Sequence, residues 1–96
     1  MIDFRKTVVF AQWLDDLRDI RARARVLARI ERLAAGHAGD VKPVGEGVSE
    51  LRIDCGPGYR VYFAKRGDSL VILLAGGDKR TQAKDIRKAV HLVRNL

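Results

Sequence analysis

Between Val48 and Arg80 the chain carries three strand-like runs parted by turn residues, and no other stretch so restricts the fold. In the first run Leu51 and Ile53 alternate with Glu50, Arg52 and Asp54, so the two sets point to opposite faces of a strand. Cys55-Gly56-Pro57-Gly58 is a turn, because Gly reaches positive φ and Pro fixes its own φ. In the second run Tyr59, Val61 and Phe63 share one face, while Arg60, Tyr62 and Ala64 share the other. Arg66-Gly67-Asp68-Ser69 reads as the turn of a hairpin, and Leu70 to Ala75 is an unbroken apolar run. Such a run suits a strand covered on both faces and is short for a helix. The expectation is an antiparallel meander with one apolar face under a lid. The other face, carrying Arg52, Arg60 and Tyr62, would be open to water or a ligand. Gly76-Gly77 would let the backbone leave the sheet, bringing Asp78, Lys79 and Arg80 close to that open face.

The rest of the chain supplies the lid. Ile2 to Lys6 reads as a short added strand. Thr7 can cap a helix in which Phe10, Trp13, Leu14 and Leu17 form an amphipathic stripe. Asp19 caps a second helix with Ile20, Leu27, Ile30 and Ala34 on its predicted inner face, Val26 and Leu33 beside it, and arginines over the remainder. Gly36 is its stop. So short a link between the helices predicts a hairpin laid on the apolar sheet face. His37 to Gly47, with its glycines and Pro43, reads as an irregular loop holding Lys42. Ala83, Ile86, Val90 and Val93 predict the buried stripe of a third helix. The fold class is α+β, in the order β-α-α-β-β-β-α, with one domain over residues 1–96.

Composition narrows the function. At 47% hydrophobic and 32% charged, the chain suits a soluble globular domain. A chain of this size buries roughly 60–65% of its unfolded surface. The early charges of Asp3, Arg5 and Lys6 predict no secretory signal, and no apolar run approaches the ~20 residues of a membrane span. The lone Cys55 predicts a reduced, cytoplasmic setting. His37 and His91 stand 54 positions apart with no Cys/His pattern, so neither metal nor other cofactor is expected. The net charge is +7, and residues 49–96 carry 10 Lys/Arg against 5 Asp/Glu. A basic surface of this kind favours a polyanion, either nucleic acid or an acidic protein.

Three segments carry a resemblance: Val41 to Ile53, Gly56-Pro57-Gly58-Tyr59-Arg60-Val61-Tyr62-Phe63, and Leu73 to Ile86 with its Gly76-Gly77-Asp78-Lys79-Arg80 core. On these the chain resembles the RelE/ParE toxin superfamily of bacterial toxin–antitoxin modules, in its HigB-like branch of addiction module killer proteins. The resemblance implies a RelE-like fold with a basic concave face opposite the helical hairpin. It implies a cognate antitoxin as partner, the ribosome and mRNA as targets, operator DNA only through the antitoxin complex, and no membrane. It assigns Arg60 and Arg80 to the scissile phosphate, with Arg52 or Lys42 as supporting cations. Several members place a tyrosine in the last helix, where this chain has Ile86. The superfamily also holds gyrase poisons without nuclease chemistry, and a non-toxic basic module acting as antitoxin partner or corepressor is a third reading.

Metal-free RNA cleavage needs a base for the 2′-OH, donors for the phosphorane charge and an acid for the 5′-oxygen. Arginine suits the middle task, since its fork holds two phosphate oxygens and stays charged. Arg60 and Arg80 are the candidates. Asp78, Lys79 or Lys84 could accept the proton, and Tyr62 could stack on a base or donate a proton. Against these stand plain readings: Arg52 paired with Glu50 or Asp54, Lys42 as a loop charge, Lys84 as a solvated or antitoxin-contacting residue, and Lys79 and Arg80 as solvated helix-start charges.

Overall fold

The computed structural model describes residues 2–96. Eight main elements follow in order: β1 (Asp3–Lys6), α1 (Val8–Asp15), α2 (Ile20–Ala34), β2 (Val41–Gly45), β3 (Val48–Ile53), β4 (Tyr59–Arg66), β5 (Leu70–Asp78) and α3 (Gln82–Arg94). A 3₁₀ turn over Lys79–Thr81 joins the last two. The five strands form one sheet in the order β1-β5-β4-β3-β2. The class is α+β, as expected, but two features differ. The sheet is mixed, because β1 runs parallel to β5. The supposed loop before β3 contains β2, whose pairing the glycines and proline concealed. Pro43 is tolerated there because β2 is an edge strand, and the register shifts beside it.

Helices cover both sheet faces. Phe10 and Leu14 of α1 and Val26, Ile30 and Leu33 of α2 pack on Leu51, Ile53, Val61, Phe63 and Leu73. On the other face Ala89 and Val93 of α3 pack on Val48, Tyr62, Ala64, Ile72 and Leu74. The open basic face is therefore mostly closed by α3. The reason lies in the strands: Val48, Tyr62, Ala64, Ile72 and Leu74 make that face too apolar to leave wet. On α3 itself Ala83 is exposed, and the inner side runs through Ile86, Ala89 and Val93.

Thr7 sits at a junction. Its hydroxyl oxygen accepts from the Phe10 N–H at 3.0 Å, capping α1, and its hydroxyl donates to the Leu74 carbonyl at 2.6 Å. That carbonyl is free because the β4–β5 ladder skips Leu74: Tyr62 pairs with Ala75, and Phe63 with Leu73. The bulge lets Leu74 and Ala75 both join the α3-side cluster.

Helix α2 is capped by Asp19, as expected, but its roll differs from the prediction. Ala22, Val26, Ile30 and Leu33 face the core, while Ile20 is 82% exposed and Leu27 42%. Arg29 helps to fix the roll, donating to the Arg52 carbonyl at 2.6 Å and the Ala38 carbonyl at 3.0 Å. Ala22, fully buried, lets the helix approach closely.

Gly76-Gly77 does not end the strand. β5 continues to Asp78, and the glycines serve close approach instead. A Cβ on Gly76 would lie 2.2 Å from the Trp13 ring, and one on Gly77 would lie 1.8 Å from an Asp85 carboxylate oxygen.

Candidate functional site

Strand pairing builds the site at one end of the sheet. In register, Glu50 lies opposite Tyr62 and Arg52 opposite Arg60, all on the face that α3 covers. Two arginines directly opposed repel one another. The fully buried Glu50 carboxylate answers both. One of its oxygens accepts from Arg52 Nε at 3.0 Å and lies 3.7 Å from Arg60 Nε. The other accepts from Tyr62 OH at 3.1 Å and from Gln82 Nε2 of α3 at 2.8 Å. Burial alone would push the Glu50 carboxyl up; hydrogen bonds from Arg52, Gln82 and Tyr62 and the Arg60 charge outweigh it and hold the group below its ordinary value. The Tyr62 phenol is pushed well up by burial and by the adjacent carboxylate.

Beyond this carboxylate lies an open cleft of about 270 Å³. Arg52, Arg60 and Lys79 bring three cations to it, Asp40 and Asp54 two carboxylates, and Ile53 and Gly58 complete the wall. The Arg60 side chain is only 11% exposed. Its Nη1 donates to the Gly58 and Tyr59 carbonyls, each at 3.3 Å. Lys79 rests on Gly58, where a Cβ would lie 3.4 Å from the lysine Cβ and 3.6 Å from Arg60 Nη1. Those are ordinary contact distances, but Gly58 is at φ +80°, so another residue there would be strained. No cluster of His, Cys, Asp or Glu among the described residues is arranged to hold a metal ion.

The family model for phage-derived Gp49-like proteins (DUF891) matches residues 12–94. The chain belongs to the Gp49-like family. The match spans every residue of the cleft and of the Glu50 network. The Gp49-like family is toxin-like and groups addiction module killer proteins. An uncharacterized protein of Haemophilus influenzae strain Rd is 50% identical over 95 residues, covering 99% of this chain and 96% of the relative.

In this Gp49-like chain Arg52, Arg60 and Lys79 meet in the cleft as candidates. Arg80 and Asp78 stand apart as a pair. Arg80 is 80% exposed and grips Asp78 with two side-chain bonds, of 2.9 and 3.3 Å. Asp78 also accepts the Arg80 N–H at 2.8 Å, capping the 3₁₀ turn. Arg80 thereby holds the Asp78 carboxyl below its usual value and is itself raised. So engaged, Asp78 is a poor proton acceptor. Lys84 is exposed on the first turn of α3, outside the cleft. Lys42 is exposed on β2, in register with Glu50 but outside the cleft wall.

Tyr62 requires a correction: it has no exposed surface, so it cannot stack on a base. The face it shares with Arg60 is apolar one residue further from the sheet end, and α3 closes over it. The sequence reading weighed Glu50 only as a partner for Arg52 and missed Gln82 altogether. The signal for Glu50 was present, since it shares the face of Arg52, Arg60 and Tyr62. The signal for Gln82 was not, because it depends on how α3 docks. No helix of the described residues is long and apolar enough to cross a membrane.

Proposed function

We propose that this protein is the toxin of a type II toxin–antitoxin module, of the RelE/ParE superfamily, which cleaves mRNA on the ribosome. The observation that carries the reading is the cleft holding Arg52, Arg60 and Lys79, with Glu50 buried behind the arginines. Glu50 accepts from Arg52 Nε and sets its charge 3.7 Å from Arg60 Nε, so that both guanidinium groups are held at the cleft, where an anion would meet them. The scissile phosphate lies against Arg60 and Lys79, whose charge stabilises the phosphorane as the 2′-OH attacks. Asp54 or Asp40, the carboxylates of the cleft, takes the 2′-OH proton as O2′ bonds to phosphorus; the P–O5′ bond breaks, leaving a 2′,3′-cyclic phosphate and a 5′-oxygen that takes a proton from solvent in the open cleft. Arg80, one residue on from Lys79 and exposed, adds a second phosphate contact when it leaves Asp78. The ribosome positions the RNA, which offsets the sparse acid–base equipment. An antitoxin is the expected partner, and operator DNA is met through that complex.

The test is mRNA integrity in a purified translation system, with and without ribosomes. Cuts at a fixed codon position that need ribosomes are expected. Arg60→Lys keeps the charge and loses the fork, and should reduce cutting at least about tenfold with the fold intact. Full cutting by that variant removes Arg60 from the site. One observation favours a second reading, gyrase inhibition without nuclease chemistry: Tyr62 is buried, Tyr59 packs on Trp13, and neither tyrosine serves the cleft. Intact mRNA together with trapped gyrase–DNA cleavage complexes would establish that alternative.

A further inference from the structure

Only four large apolar residues are described as exposed: Val8, Ile20, Leu27 and Leu96. Two of them lie on α2, seven residues apart. At 100° per residue, Ile20, Ala24 and Leu27 fall within about 60° of one another on the helix. Their spacing of four and three is that of a helix-packing seam. All three are exposed, and Ala24 offers no bulk to keep a second helix away. The seam is thus an apolar stripe that the fold leaves uncovered.

Beside it runs a row of arginines. Arg21, Arg25 and Arg32 are exposed and lie within about 40° of one another, on one flank of the seam. Among the described residues none of the three forms an ion pair. Glu31 is the one acidic residue of α2. Arg32, in the last turn, suits the helix dipole; Arg21 and Arg25 have no such role.

We infer that the outward face of α2 docks an acidic amphipathic helix of a partner protein, its apolar residues on Ile20, Ala24 and Leu27 and its carboxylates on Arg21, Arg25 and Arg32. The combination decides the occupant. A nucleic-acid backbone would use the arginines and gain nothing from Ile20 at 82% exposure. A second copy would bring two arginine rows together on a chain of net charge +7. An acidic helix satisfies both stripes at once. α2 covers the sheet face opposite Arg60, so a helix bound there leaves the cleft open. The inference therefore stands or falls separately from RNA cleavage.

The experiment uses a helix library displayed on phage. Leucines are fixed at a four–three repeat, and the flanking positions are free to be Glu, Lys or Ala. It is selected on the full chain, and selected peptides are then measured by fluorescence polarisation. The expected result is enrichment of Glu over Lys at the flanks. Binding should weaken at least about tenfold with Ile20→Ser/Leu27→Ser and, separately, with Arg25→Ser/Arg32→Ser, both of which change exposed residues only. No enrichment, equal use of Glu and Lys, or binders indifferent to Ile20→Ser/Leu27→Ser would overturn the inference. So would a self-associated wild-type chain that Ile20→Ser/Leu27→Ser renders monomeric. A folded RNA hairpin that binds through Arg25 and Arg32, with no peptide selected, would assign the face to nucleic acid instead.

Discussion

Replacing Glu50 by glutamine removes one charge and almost no volume. In the native protein that carboxylate has three hydrogen-bond donors, at 2.8, 3.0 and 3.1 Å, and a second guanidinium at 3.7 Å. A glutamine presents one oxygen and one NH₂. If the oxygen stays with Tyr62 and Gln82, the NH₂ points at Arg52; if it turns, both Tyr62 and Gln82 lose their acceptor. Either way Arg52 and Arg60 face each other without the buried charge between them, and Arg52 keeps only the exposed Asp40, at 4.0 Å. Removing one member of a buried ion pair costs about 3–5 kcal/mol. In a domain near 100 residues this lowers Tm by at least about 12 °C. The sign of the pH dependence follows from the lowered Glu50 carboxyl. Its contribution is full above the ordinary value of 4.5 and is lost as pH falls through the lower folded value. Urea titrations of wild type and Glu50→Gln should therefore differ widely near neutrality, and the gap should narrow as the solution is taken below that value. A variant within about 1 kcal/mol of wild type at neutral pH, against the 3–5 expected of a buried pair, would refute the account. So would a gap that does not shrink in acid.

Gly76→Ala should cost roughly 1–3 kcal/mol by overpacking, because the new methyl meets the Trp13 ring at 2.2 Å; tryptophan fluorescence and a thermal melt would report it together. Thr7→Ala should cost roughly 1–2 kcal/mol in chemical denaturation, since one hydroxyl caps α1 and also satisfies the bulged Leu74 carbonyl. Lys79→Ala should leave the melt within about 0.5 kcal/mol of wild type and weaken binding of a 2′-deoxy RNA analogue, as expected when one phosphate contact is lost from an otherwise intact surface.

The alternation of β3 and β4 was legible because each strand has one mainly apolar set and one set carrying charges, and the caps Thr7 and Asp19 because their chemistry is local. β2 was not, since Pro43 and the neighbouring glycines deny a strand that exists only through its pairing with β3. The roll of α2 was misjudged for a similar reason. Ile20 and Leu27 look like core residues, but Ala22, Val26, Ile30 and Leu33 take the core side, with Arg29 reaching two carbonyls, and so turn them outward. In the site, the cations could be found from sequence because turns and strands place them. Tyr62 was read as open because its strand neighbour Arg60 is charged, while the docking of α3 over that face is a tertiary event. Glycines 76 and 77 read as the point where the backbone leaves the sheet, whereas the structure uses them to let Trp13 and Asp85 close in.

The parallel pairing of β1 with β5 joins Asp3 to Leu70, and Thr7 reaches Leu74 across 67 positions of chain. Gln82 reaches Glu50 across a further long span. During synthesis the N-terminal strand and α1 emerge long before β5, the strand they bind, and must wait for it. The Glu50 carboxylate waits longer still, for a helix that leaves the ribosome last. Contacts so distant in sequence make folding slow relative to local structure. A growing chain thus passes most of its synthesis with the arginines of β3 and β4 unorganised, and the cleft takes its form only when the last helix has docked.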